Sequence, residues 1–135
     1  MIVLDCCAAM EIVQGTERGR ALQGLFLSGE EVVAPAYFPI EVANASWKFA
    51  HAHRKSGEET KRLMDDALSL PDRLVPVDDM LDEAFAESVA LDRSVYDMLY
   101  LVLARRNAAT LVTCDNALRD CCMKRNVNCI VEVDF

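Results

Sequence analysis

The segment SVYDMLYLVLARRNAATLVTCD, residues 94–115, constrains the fold more than any other. Its spacing predicts a helix from about Val95 to Arg106, and from Met98 to Ala104 that helix is apolar around its whole circumference. An amphipathic surface helix keeps a polar face; one without it is buried on nearly every side. This helix is therefore central. Asn107 ends it, and the β-preferring run that follows delivers Thr113, Cys114 and Asp115 at its far end.

The rest of the chain supplies what such a helix packs against. Strand-like runs stand at 2–5, 31–34, 74–77, 109–113 and 128–131, with segments of helical period between them. That alternation predicts an α/β fold, a parallel sheet of about five strands covered by helices on both faces. Thr16 caps a helix running to about Leu27, and Pro35 suits the first turn of one running to about Lys55. Further helices are expected near 58–70 and 79–90. With 135 residues, 53% hydrophobic, and no repeat or linker, one domain spanning 1–135 is expected.

In such folds ligands bind outside the carboxyl ends of the strands. Asp5 follows the first strand and Asp115 the fourth, so both carboxylates face one cleft if those strands are neighbours. Glu41 is less expected. It projects from a largely apolar face, with Tyr37 and Phe38 one turn back and Ala45 one turn ahead, well inside the helix begun at Pro35. Asp97 stands at the entry to the most buried helix. Each acid has a local alternative: Asp5 and Asp115 as helix N-caps, Ser94 and Asp97 as a capping box, Glu41 as the ion-pair partner of Lys48 or of an Arg on a neighbouring element. Four carboxylates gathered at one sheet edge would repel by on the order of several kcal/mol at protein-like dielectric, a conflict that a divalent cation resolves. Oxygen donors without clustered His or Cys favour Mg²⁺ or Mn²⁺, and such an ion suits phosphoryl chemistry.

A net charge of −8 argues against nucleic-acid binding by the whole surface. The stretch 48–62 nevertheless gathers Lys48, Arg54, Lys55, Lys61 and Arg62, either as an RNA-binding patch or as a solvated corner between helices. Arg105, Arg106, Arg119 and Arg125 are the other sources of positive charge considered for RNA. His51 and His53 lie two apart on a helix, where their side chains diverge. Six cysteines without a CxxC or an export signal are read as reduced thiols, Cys7, Cys114 and Cys129 packing in or beside strands. No run approaches the roughly 20 apolar residues that cross a bilayer, so a soluble, cytoplasmic protein is expected.

The ordered set IVLD with Asp5, PAYFPIEVANA with Glu41, SVYDMLYLVLA with Asp97 and LVTCD with Asp115 resembles the PIN domain, and in size and motif wording the VapC-type toxins of bacterial toxin–antitoxin modules. The likeness spans essentially the whole chain. It implies a three-layer α/β/α fold and a metal-dependent endoribonuclease, with a small cognate antitoxin as partner and commonly a homodimer. By position, Asp5, Glu41, Asp97 and Asp115 would be the acidic quartet, Asp5, Asp97 and Asp115 holding Mg²⁺ or Mn²⁺, one ion or two. Glu41 would orient or deprotonate the attacking water, with Thr113 and Asn116 as polar neighbours. The chain departs from the family at position 7, where Cys7 replaces the usual Ser, Thr or Asn. Haloacid dehalogenase-type phosphatases need a second Asp at that position, and receiver domains need a Lys after the last strand; neither pattern fits. The alternative from another class is a non-catalytic PIN-like interaction module.

Overall fold

A computed structural model describes residues 1–131. Five parallel strands form one sheet in the order β3-β2-β1-β4-β5: β1 is Ile2–Leu4, β2 Val32–Pro35, β3 Arg73–Val75, β4 Thr110–Val112 and β5 Cys129–Ile130. Among the described residues seven α-helices connect them: α1 Cys6–Gln14, α2 Glu17–Gln23, α3 Phe38–His53, α4 Gly57–Leu68, α5 Leu81–Leu91, α6 Val95–Arg106 and α7 Asn116–Lys124.

The pleat of β1 sorts the core into two layers. Ile2 and Leu4 point into an apolar layer with α1, α3 and α4, whereas Val3 points the other way, toward α5, α6 and α7. The result is the three-layer α/β/α arrangement expected from the sequence. Met98 to Ala104 are all buried, and α6 lies against β1, β2 and β4 with α5 and α7 beside it. Burying side chains such as Leu101 and Leu103 in this way stabilises the fold by about 2 kcal/mol each.

The chain moves outward from β1 through β2 to β3, then crosses back to β4 on the opposite side of β1. A crevice opens where the direction of winding reverses, outside the carboxyl ends of β1 and β4. The backbone N–H of Asp5 donates to Val112 O at 3.2 Å, so the exits of those two strands lie side by side.

Three local expectations are corrected. Pro35 does not open a helix: it ends β2, past the register with β1, where a missing N–H interrupts no pairing on that side. It is Pro39, at the start of α3, that takes the proline-favoured first turn. Glu41 therefore stands in the first turn of its helix and not deep inside it. Thr16 does cap a helix, accepting from Gly19 N, but that helix ends at Gln23 and a 3₁₀ turn follows over Gly24–Ser28. Gly19 is there because α2 crosses α1 closely: a Cβ at that position would lie 2.0 Å from the Glu11 carbonyl oxygen.

Candidate active site

The crevice is a cleft of about 470 Å³, and Asp5, Glu41, Asp97 and Asp115 all line it, with Cys6, Cys7, Asn44, Lys48 and Tyr100 among their neighbours. Four acids separated by up to 110 positions in the chain are brought together by four different elements.

Asp5 caps α1. Its carboxylate accepts from Ala8 N at 2.9 Å and from the Thr113 hydroxyl, and the Cys7 thiol lies 3.1 and 3.3 Å from its two oxygens. The cap expected as a local alternative is thus real, but it occupies only part of the carboxylate. Asp5 is buried, and burial is the main cause that raises its pKa well above the usual carboxylate range, against the lowering effect of the Thr113 and Ala8 hydrogen bonds.

Thr113 explains the Thr-x-Asp wording at the end of β4. It is fully buried; its hydroxyl donates to Asp5 and accepts from the backbone N–H of Asp115 at 3.0 Å. One side chain thereby ties the first acid to the turn that carries the last. Asp115 in turn caps α7, its Oδ1 accepting from Ala117 N at 2.8 Å and Leu118 N at 3.3 Å. Its Oδ2 is turned toward the cleft.

Asp97 is not a cap. Ser94 is, accepting from Asp97 N at 3.2 Å, and the Asp97 carboxylate leaves the capping box unfinished to reach Arg93 instead. Arg93 is a residue that sequence reasoning missed. Its Nη2 lies 2.8 Å from Asp97 Oδ2 and 3.1 Å from Asp115 Oδ2, so one guanidinium nitrogen bridges two members of the quartet. The only advance signal is its place four residues before Asp97, in a loop where that spacing carries no meaning.

Glu41 accepts from the Tyr100 hydroxyl at 2.7 Å, not from Lys48. Burial raises its pKa, the Tyr100 hydrogen bond lowers it, and the negative charge of Asp97 raises it further; the net shift is upward. Tyr100, read from the sequence as part of an apolar run, is buried with its ring edge-on to Tyr37 and its hydroxyl aimed at the acid.

Of the remaining expected residues, Lys48 lines the cleft about two helical turns beyond Glu41, while Arg54 and Lys55 are exposed beyond the end of α3 and do not line it. Asn116 is the exposed first residue of α7 and stays outside the cleft lining. Arg105 and Arg106 are committed elsewhere, to Glu83, Glu87 and Asp79, and Arg125 to Glu87, which removes them as free charge for RNA.

The donor chemistry of the cleft fits a hard divalent cation. Its donors are carboxylate oxygens beside two thiols whose pKa values stand above the usual range: burial pushes Cys6 up to about 12, and Cys7 is raised as well, first by its hydrogen bond to Cys114. Asp97 and Asp115 already point one oxygen each at a common cationic nitrogen. Among the described residues no three His, Cys, Asp or Glu side chains stand close enough together to enclose an ion as they are, so waters would complete any coordination.

Comparison with known protein families matches residues 2–122 to the PIN domain. Two curated relatives, both named Ribonuclease VapC12 and from Mycobacterium tuberculosis strains CDC 1551 / Oshkosh and H37Rv, are each 35% identical over 118 residues, covering 87% of this chain and 89% of theirs. Among solved structures, PAE2754 from Pyrobaculum aerophilum superposes with a TM-score of 0.68 at 22% identity over 89% of this chain and 84% of its own. Mycobacterium tuberculosis VapC20, described as a sarcin–ricin loop cleaving toxin, gives 0.59 at 18% identity over 82% and 87%. These two likenesses concern the fold. No helix among the described residues is long and apolar enough to cross a membrane.

Proposed function

This chain belongs to the PIN-domain family, and from that premise we propose that it is an endoribonuclease of the VapC type, the toxin of a toxin–antitoxin pair, cutting RNA by hydrolysis in the cytoplasm. The observation that carries the reading is the convergence of Asp5, Glu41, Asp97 and Asp115 on one cleft at the point where the winding of the sheet reverses. Two relatives named as ribonucleases, matched over most of both chains, support it.

Asp5, Asp97 and Asp115 would hold Mg²⁺ or Mn²⁺, which supplies an activated water and charge neutralisation at the phosphate. Glu41 is the group that accepts the proton of the attacking water. Its raised pKa is what a general base gains from a partly desolvated position, and the Tyr100 hydroxyl fixes which oxygen is free to act. Lys48 offers a cation to the phosphodiester backbone at the rim. Thr113 and the Ala8 N–H hold the Asp5 carboxylate in one orientation, and the α7 cap does the same for Asp115. As the new phosphorus–oxygen bond forms, the bond to the leaving ribose oxygen breaks, and the phosphate keeps its negative charge.

A cognate antitoxin with a basic segment suits the same cleft, since an arginine placed there would pair with the carboxylates as Arg93 already does. A second copy of the chain is the partner we assign to α5, where Leu81, Phe85 and Val89 recur every four residues and are exposed.

The test is cleavage of total RNA by the purified protein with Mg²⁺ or Mn²⁺, comparing wild type with Asp97→Asn. Metal-dependent cutting lost in the variant supports the reading; a folded wild type that binds neither metal nor RNA overturns it.

A further inference from the structure

Two cysteines from different parts of the chain meet beside the cleft, Cys7 in its lining and Cys114 next to Asp115. Cys7 is the second residue of α1, exposed and in contact with Asp5 and Thr113; Cys114 sits between Thr113 and Asp115 at the exit of β4. The backbone N–H of Cys114 donates to Cys7 Sγ at 3.3 Å. An N–Cα bond of about 1.46 Å then places the Cys114 Cα within about 4.8 Å of the Cys7 sulfur, so the two side chains adjoin. All six cysteines are free thiols.

We propose that Cys7 and Cys114 form a dithiol that hydrogen peroxide oxidises to a disulfide, and that this bond switches off the cleft by taking the Cys7 thiol away from Asp5. Cys114 gives up its thiol proton, its sulfur attacks one peroxide oxygen, the O–O bond breaks, and a sulfenic acid forms on Cys114 as the leaving hydroxide takes that proton to become water. The Cys7 sulfur then attacks the sulfenic sulfur, the S–O bond breaks and the S–S bond forms. Two thiols lose two electrons and two protons in total, and the peroxide is reduced to two waters. In the product Asp5 has lost the one thiol donor that touches both its oxygens, and the exits of β1 and β4 are covalently joined beside two of the proposed ligands. The inhibition rests on the nuclease reading above; the disulfide itself does not.

The experiment treats the full reduced chain with hydrogen peroxide in small excess, blocks remaining thiols, and maps peptides without reduction. The expected product is a Cys7–Cys114 crosslink lacking two hydrogens, reversed by dithiothreitol, with RNA cleavage falling at least ten-fold and returning on reduction. Cys114→Ser should abolish the crosslink and keep basal cleavage that no longer responds to peroxide; Cys7→Ser, checked for folding by its melt, should abolish the same crosslink. Cys122 and Cys129 also pack in one apolar layer, and Cys6 neighbours Cys7, so fragment ions must place the bond. Sulfinic acids without a crosslink, or a crosslink at Cys122–Cys129 or Cys6 in its place, overturn the dithiol. A Cys7–Cys114 bond that leaves cleavage intact overturns the switch alone. If the reduced, metal-loaded protein cuts no RNA, the nuclease reading has failed, while the peptide map still decides the dithiol.

Discussion

Arg93 lies 3.1 Å from Asp115 across 22 positions of sequence, and the same nitrogen lies 2.8 Å from Asp97. A tethered guanidinium thus occupies the space between two carboxylates that the proposed ion would share. Each contact is a partly exposed ion pair worth about 0.5–1 kcal/mol. Arg93→Met should therefore lower the melting temperature of the metal-free protein slightly and tighten Mn²⁺ binding by roughly three- to ten-fold, since the ion no longer competes with an internal cation. Calorimetric titration with Mn²⁺ reads this directly. Weaker binding in the variant would mean that Arg93 positions the two carboxylates for the ion and does not oppose it.

Tyr100→Phe removes the hydroxyl that holds Glu41 at 2.7 Å. The lost hydrogen bond should cost about 1 kcal/mol of stability. Its more informative effect is on titration: the bond stabilises the carboxylate, so without it the already raised pKa of Glu41 climbs further. If Glu41 is the general base, the acidic limb of the pH–rate profile moves to higher pH and the rate at the plateau is spared. A uniform loss of rate at every pH would assign Tyr100 to packing only.

Most of the architecture is legible because its signals are local. The all-round apolar run of α6 identifies the central helix, and the apolar runs before Asp5 and Asp115 place both acids at strand exits. Thr113 enters as a neighbour of the site only through the family resemblance, because its hydroxyl meets Asp5 across 108 positions of sequence. What escapes is whatever depends on how elements meet. Pro35 suits a strand end as well as a helix start, and only pairing with Val75 decides between them; the displaced helix start then misplaced Glu41 along α3. Arg93 finds Asp115 only because α6 and the β4 exit converge. Tyr100 carries no mark, in an apolar run, that its hydroxyl reaches an acid 59 positions away. The arginines at the end of α6 look like free positive charge until α5 supplies Glu83 and Glu87.

That same network offers a stability test away from the cleft. Glu87 is 14% exposed at its side chain and accepts from Arg125 Nε at 2.7 Å and from Arg105 Nη1 at 3.1 Å, joining α5 to α6 and to the end of α7. Arg125 first, then Arg105, holds the Glu87 carboxyl below the usual glutamate range, against the opposing effect of burial. A depressed folded pKa gives stability that is present above the unfolded value of about 4.3 and is lost as pH falls through the folded value. Glu87→Gln should therefore cost about 1 kcal/mol at neutral pH, and the gap from wild type should close as denaturant melts are taken below about pH 4. A gap unchanged at acid pH would show that shape, not charge, is what the glutamine disturbs.

Lys48 and the Arg54–Lys55 pair differ in distance from the acids, and RNA binding should reveal it. Lys48 lines the cleft, whereas Arg54 lies 13 residues along α3 from Glu41, about 20 Å at 1.5 Å per residue. If a single strand enters over α3, Lys48 touches a phosphate next to the scissile bond and the distal pair touches phosphates further along. Lys48→Glu should weaken binding to single-stranded RNA about ten-fold and lower the slope of log affinity against log salt by about 0.7, the share of one phosphate contact. Arg54→Glu with Lys55→Glu should weaken binding only to RNAs long enough to reach the end of α3, leaving short oligonucleotides unaffected and the melting temperature unchanged. Filter binding at two salt concentrations with a short and a long RNA separates these outcomes. Equal losses on both lengths would place the strand along some other face of the molecule.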